Sequence, residues 1–87
     1  ADSEYDLSEN ELNMFGYQLM GKGRMEEALE VFKLNTELYP LGFNTYDSYG
    51  ECLMALGQKE KAIAAYKKSL ELNPDNTNAS EVISNYD

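Results

Sequence analysis

The side chains that could carry out covalent chemistry are few in this 87-residue chain. There is no histidine, so Ser–His–acid and Cys–His nucleophiles are excluded, and the commonest transition-metal ligand is missing. The single cysteine, Cys52, has no Lys, Arg or His within one helical turn to lower the pKa of its thiol. We therefore predict a buried, unreactive Cys52, no catalytic residue and no cofactor. The chain is not expected to be an enzyme.

Residues 75–78, Asp-Asn-Thr-Asn, resemble the opening of a calcium-binding loop. They lack the glycine that such a loop needs for its turn and the bidentate acid that closes it. A helix cap accounts better for this run of short polar side chains, so no metal site is predicted.

The charge of the chain restricts its partners. There are 16 acidic and 7 basic residues, which give a net charge of −9. Nucleic acids and anionic lipid surfaces attract clustered Lys and Arg, so neither a nucleic acid nor a membrane is expected as a partner. The lone cysteine excludes a disulfide within the chain, and the cellular compartment stays undetermined. Because the sequence begins with Ala1 rather than Met, we expect a larger parent protein to precede it.

The elements that must position any site come from an internal repeat. Residues 9–40 align with residues 43–74 at an offset of 34, with 11 identities in 32 positions. Conservative pairs include Phe15 with Tyr49 and Phe32 with Tyr66. A fixed period of this length is the signature of a repeat array.

Apolar spacing of three and four residues predicts helices over about 8–20, 25–39, 43–56, 59–72 and 78–86. Ser8 and Glu11 stand in capping-box spacing at the first helix start. Gly23 and Gly57 follow the first and third helices, and proline ends the second and fourth. No segment alternates with period two, so no sheet is expected.

These landmarks resemble those of the tetratricopeptide repeat, a 34-residue helix–turn–helix unit. The matching residues are Leu12, Gly16, Ala28, Phe32 and Pro40 in the first unit, and Tyr46, Gly50, Ala62, Tyr66 and Pro74 in the second. The glycines and alanines would let paired helices approach closely, while Phe32 and Tyr66 would fill the space between units. Leu19 and Leu53 depart from the family's usual tyrosine, and Asn35 and Ser69 from its usual alanine. A buried Asn35 would need a hydrogen-bond partner.

The resemblance implies an all-α fold: two antiparallel helix–turn–helix repeats and a C-terminal capping helix in a right-handed α-solenoid. We expect an acidic lead-in or linker over residues 1–7 and a single domain over 8–87. Within that domain, repeat one spans 8–41, repeat two spans 42–76, and the cap helix spans 77–87.

A narrower likeness concerns residues 31–40, 44–51 and 67–76. These phrases resemble the short repeat tail at the C-terminal end of some bacterial β-lactamase-like and esterase-like hydrolases. That resemblance implies a catalytic domain upstream. It also leaves two compartments open, the cytoplasm, or the cell envelope if the parent hydrolase is exported.

In the tetratricopeptide family, the first helix of each pair lines a concave groove that takes a peptide or a partner helix. The corresponding residues here are Asn10, Asn13, Tyr17, Met20, Asn44, Asp47, Glu51 and Met54. We name these eight residues the groove stripe. The chain is thus predicted to be a protein–protein interaction module that binds a peptide or partner protein.

Two features of the groove stripe have alternative explanations. Asn10, Asn44 and Asn78 share one phase of the repeat, and they form either a ladder that pairs with a peptide backbone or helix caps, which we favour. Met20 and Met54 supply either adaptable contact or core packing. A family activity, capture of a C-terminal carboxylate through Lys and Arg, is rejected because the stripe carries no base and has two acids. A neutral or basic segment fits better.

The ends of the array give the second hypothesis. A helix pair cannot cover its own apolar face, and about three repeats usually make a stable stack. The N-terminal face, around Leu7, Leu12 and Phe15, has no preceding repeat. The alternative function is therefore a non-catalytic structural appendage of a larger bacterial hydrolase. Its end faces would dock an upstream domain of the same parent or a second copy, giving a homodimer.

Overall fold

The computed structural model describes residues 8–86, which form five α-helices. They are α1 (Glu9–Gly21), α2 (Met25–Leu38), α3 (Phe43–Ala55), α4 (Lys59–Leu72) and α5 (Thr77–Asn85). The five predicted helices are confirmed, and their ends differ from the predictions by about one residue. No strand occurs in the described residues, so the predicted all-α class is confirmed as well. No helix within 8–86 is both long and apolar enough to cross a bilayer.

The first helix of each pair ends in the same motif. The backbone N–H of Arg24 donates to the carbonyl of Leu19, and that of Gln58 donates to the carbonyl of Leu53, each at 2.9 Å. Between them, Gly23 and Gly57 adopt φ of 80° and 81°. Such a Schellman turn needs the left-handed conformation that glycine takes at little cost. Two short, equivalent turns therefore fold α2 back on α1 and α4 back on α3.

The helix starts use side chains as predicted at two places. The Ser8 hydroxyl accepts from the Glu11 N–H at 3.1 Å, and the Glu11 carboxylate accepts from the Ser8 N–H at 2.9 Å. This is the predicted capping box. At α5, the Asn76 side chain accepts from the Ala79 N–H at 3.4 Å. The polar run at 75–78 thus contains a helix cap, as expected.

Close helix contacts bury the predicted small residues. A Cβ on Gly16 would overlap the Phe32 ring, and a Cβ on Gly50 would lie 3.0 Å from the Tyr66 ring. Phe32 itself is fully buried. Each pair therefore packs a bare patch of its first helix against an aromatic ring of its second.

The core consists of two clusters that adjoin along the chain. Leu29 and Tyr49 pack against both clusters and so join the first helix pair to the second. The first cluster contains Leu19, Ala28, Phe32 and Cys52, and the second contains Leu53, Ala62, Ala65, Tyr66 and Ala79. Cys52 is fully buried, and burial raises the pKa of its thiol, so the prediction of a buried thiol is confirmed.

Two predictions about the N-terminal face need correction. Leu12, expected on the exposed face, is only 3% exposed. Leu38 belongs to the apolar three- and four-residue spacing of α2, which predicts an inward side chain, yet it is 55% exposed. Phe15 is exposed as expected, and Leu7 lies outside the described residues.

Candidate protein-binding site

The groove stripe lies on α1 and α3. Its members follow spacings of three, four and three residues on each helix, which keeps them on one helical face. The two helices are in contact, and a polar link between their side chains aligns them. Each half of the groove stripe therefore lies along one face of its helix, and the Tyr17–Glu51 bond joins the two halves.

Tyr17 forms the link between α1 and α3. Its hydroxyl lies 2.7 Å from Glu51 Oε1 and 3.2 Å from Ser48 Oγ. A phenol has one proton, so Tyr17 donates to the carboxylate and accepts from the Ser48 hydroxyl. Burial, followed by the negative charge of Glu51, raises the pKa of Tyr17 to about 12, while the Ser48 bond opposes the shift. Tyr17 therefore stays protonated at neutral pH and holds Glu51 in place.

Asp47 is bonded across to α5 and its preceding turn. Its Oδ2 accepts from Asn76 Nδ2 at 2.8 Å, and its Oδ1 accepts from Asn78 Nδ2 at 3.1 Å. The Asn76 amide also donates to Ser69 Oγ at 2.8 Å, and that hydroxyl donates to the Phe43 carbonyl at 2.9 Å. Asn76 thus joins α3, α4 and the start of α5, and together with Asn78 it engages both oxygens of Asp47 internally.

The three asparagines of the repeat phase do not cap their helices. Asn10, Asn44 and Asn78 lie in first turns, but the N-cap residues are Ser8, Gly42 and Asn76. The favoured explanation of Asn10, Asn44 and Asn78 as caps is therefore wrong. Asn10 and Asn44 are exposed, whereas Asn78 is bonded to Asp47.

The remaining members of the stripe are half-buried. Met20 packs against the first core cluster and Met54 against the second, which favours the core explanation for both methionines. Asn13 is half-buried, and its Oδ1 is enclosed without a hydrogen-bond partner among the described residues. The groups that face solvent on the stripe are thus Asn10, Asn44 and Glu51.

A second surface was only partly anticipated. Phe15, Leu19, Val31 and Leu34 line a depression of about 480 Å³ between α1 and α2, and we name these four residues the end face. Phe15 is 48% and Leu34 is 45% exposed. Beyond the end face, Leu38 and Leu41 continue the apolar surface along α2 and its following turn.

The sequence held a signal for this surface. At the offset of 34, Leu34 stands opposite Lys68 and Leu41 opposite Asp75. An apolar residue paired with a charged one marks a position where the two units meet different surroundings. Ser48 and Asn76 were also missed as bonding partners, because their neighbours are distant in the sequence.

This arrangement of helix pairs, each folded back through a glycine turn and stacked on the next, defines a helical-repeat protein. The family model of the tetratricopeptide repeat matches residues 50–76. The internal repeat extends this similarity to the first helix pair, so both pairs resemble tetratricopeptide repeats. Repeats of this family generally mediate protein–protein interaction. A search of curated proteins gives no match.

Proposed function

We propose that the chain is a non-catalytic module that binds a neutral or basic segment of another protein along the groove stripe. The observation that carries this proposal is Glu51, an exposed carboxylate fixed by the Tyr17 hydroxyl at 2.7 Å. The exposed amides of Asn10 and Asn44 lie on the same stripe and can pair with a peptide backbone. With no Lys or Arg in the stripe, an acidic segment would be repelled.

Peptide display on the immobilised chain tests this proposal. We expect the selected peptides to be neutral or basic, and Glu51→Gln to weaken the basic ones by about tenfold, as loss of one charge-assisted hydrogen bond does. Glu60→Gln is the matched control, because Glu60 is exposed on α4 and lies off the stripe. Selection of acidic peptides, or equal effects of the two substitutions, would contradict the proposal.

The second candidate function is docking through the end face, as a structural appendage of a larger chain. The observation that favours it is the exposure of large apolar side chains at that end, led by Phe15 and Leu34. The resemblance to the repeat tails of bacterial hydrolases names one kind of parent and stays a prediction.

A further inference from the structure

We propose that the end face binds one amphipathic helix of a partner protein, seated in the same way as α2 is seated against the second helix pair. This inference rests on the second candidate function, docking through the end face, and it adds the chemistry of the occupant.

The second helix pair provides the template. At the offset of 34, Phe15, Leu19 and Val31 correspond to Tyr49, Leu53 and Ala65. Leu53 and Ala65 are 1% and 7% exposed, and Leu29 of α2 packs against their cluster. The same face of the first pair has no helix before it among residues 8–86. A surface that is filled by a helix in one unit is therefore not covered by any helix of residues 8–86 in the other.

The first pair is also more apolar than its internal packing requires. Lys68, the counterpart of Leu34, is exposed and lies 3.7 Å from the Glu71 carboxylate. A charged residue is thus compatible with this position of the fold, yet the first pair places a 45% exposed leucine there. Exposed apolar residues that the core does not need are typical of a contact surface. The occupant must therefore cover Leu34 as well as the area that α2 covers in the second pair.

The shape and charge of the end face fit a helix as the occupant. The depression runs between two helices, and such grooves receive the side-chain ridge of a third helix. In α2, the apolar residues Met25, Leu29 and Phe32 recur at i, i+4 and i+7, and this pattern is the chemistry expected of the occupant. The rim carries both signs, with Lys22 and Arg24 beside Glu27 and Glu30.

A second copy of the chain is a poorer occupant, because each copy has a net charge of −9 and the two would repel. A partner helix with charges of both signs on its flanks meets no such repulsion. The mixed rim of the end face matches those flanks.

The test adds a helix that can cover the end face to the full chain. A copy of residues 24–41 is inserted between Leu7 and Ser8, in the register in which 24–41 precede Gly42. We expect the Tm to rise by roughly 5–15 °C, because the added helix covers the end face. Phe15→Asp should abolish the rise. Leu41→Asp should leave it intact, since its counterpart Asp75 is exposed in the second pair.

Sedimentation of the unmodified chain completes the test, with a monomer expected. The inference is overturned if the insertion gives no rise, or if the rise survives Phe15→Asp. It is also overturned if the unmodified chain forms a dimer that Phe15→Asp dissociates, or if deleting residues 1–7 and substituting Phe15 lower its Tm equally. In those last two cases the end face still docks something, so the second candidate function survives. If Phe15→Asp changes neither the Tm nor the sedimentation of either chain, both the inference and the second candidate function fail.

Discussion

The two junctions between successive units use the same helix positions and fill them differently. In the first junction, Asn35 Nδ2 donates to the Glu9 carbonyl at 3.1 Å. In the second, Ser69 Oγ donates to the Phe43 carbonyl at 2.9 Å. Each bond spans 26 residues and ties the second helix of a pair to the start of the first. The departures from alanine at these two positions thus serve the same purpose.

The difference lies in one amide. In the second junction, Asn76 Nδ2 donates to Asp47 and Ser69, at 2.8 Å to each. The counterpart of Asn76 in the first junction is Gly42, which has no side chain to donate. There the counterparts of Asp47 and Ser69 are Asn13 and Asn35, and the Oδ1 atoms of both are buried without a partner among the described residues.

Asn76 therefore completes a polar network at the second junction, and Gly42 cannot complete the equivalent network at the first. An unsatisfied buried acceptor costs about 1–3 kcal/mol. The first junction instead has the Tyr17–Glu51 bond, which joins α1 to α3. We infer that the second junction is stabilised chiefly by Asn76, and the first chiefly by Tyr17 and apolar packing.

The largest effect is expected for Asn76→Ala. This change removes the N-cap of α5 and both amide bonds to Asp47 and Ser69. We expect the free energy of unfolding to fall by about 3 kcal/mol in urea titrations, of which about 1 kcal/mol is the cap. Asn44→Ala, an exposed first-turn position of α3, is the control and should cost less than about 0.5 kcal/mol. Equal losses would refute the role given to Asn76.

A smaller effect, about 1 kcal/mol at neutral pH, is expected for Tyr17→Phe, which deletes the bond to Glu51. The pH dependence gives the sharper comparison. The pKa of Tyr17 is about 12 in the folded chain against the ordinary tyrosine value of 10.0, so the unfolded state ionises first. The stabilisation by Tyr17 is present below pH 10 and is lost as the pH rises toward about 12. Thermal unfolding of the unmodified chain and of the Tyr17→Phe variant from pH 8 to 11.5 measures this loss. A constant difference between the chains would contradict the prediction.

The sequence was sufficient for the helices and their ends, because those depend on local residues. Gly23 and Gly57 predicted the turns, and Ser8 predicted the first cap correctly. The groove stripe could also be assigned to α1 and α3, since the register of the repeat fixes it. The bonds within the stripe could not be predicted. Whether Tyr17 reaches Glu51 depends on how α1 and α3 are placed relative to each other.

The exposure of Leu38 could not be predicted for a related reason. An apolar pattern shows which side of a helix can be buried, but it does not show whether a neighbour is present. The first pair has the same pattern as the second and lacks the preceding helix among the described residues. The pair Leu34 and Lys68 does indicate whether a neighbour is present, because the same position of the repeat is apolar in the first unit and charged in the second.

We infer that a single amide separates the two junctions, and Gly42→Asn tests this inference most directly. Gly42 has φ −87° and ψ 104°, close to φ −75° and ψ 92° at Asn76, so an asparagine there starts from the same backbone. A Cβ at this position would meet the Glu9 carboxylate at 2.6 Å, so that flexible side chain must move aside. Gly42→Ala controls for this displacement.

In urea titrations, Gly42→Asn should be more stable than Gly42→Ala by about 2 kcal/mol, from the new cap and the pairing of Asn13 and Asn35. In an Asn13→Leu background the advantage should fall to about 1.5 kcal/mol, the value of the cap and of the remaining pairing with Asn35. If Gly42→Asn and Gly42→Ala are equally stable, or if Asn13→Leu leaves the advantage unchanged, the amide is not what distinguishes the two junctions.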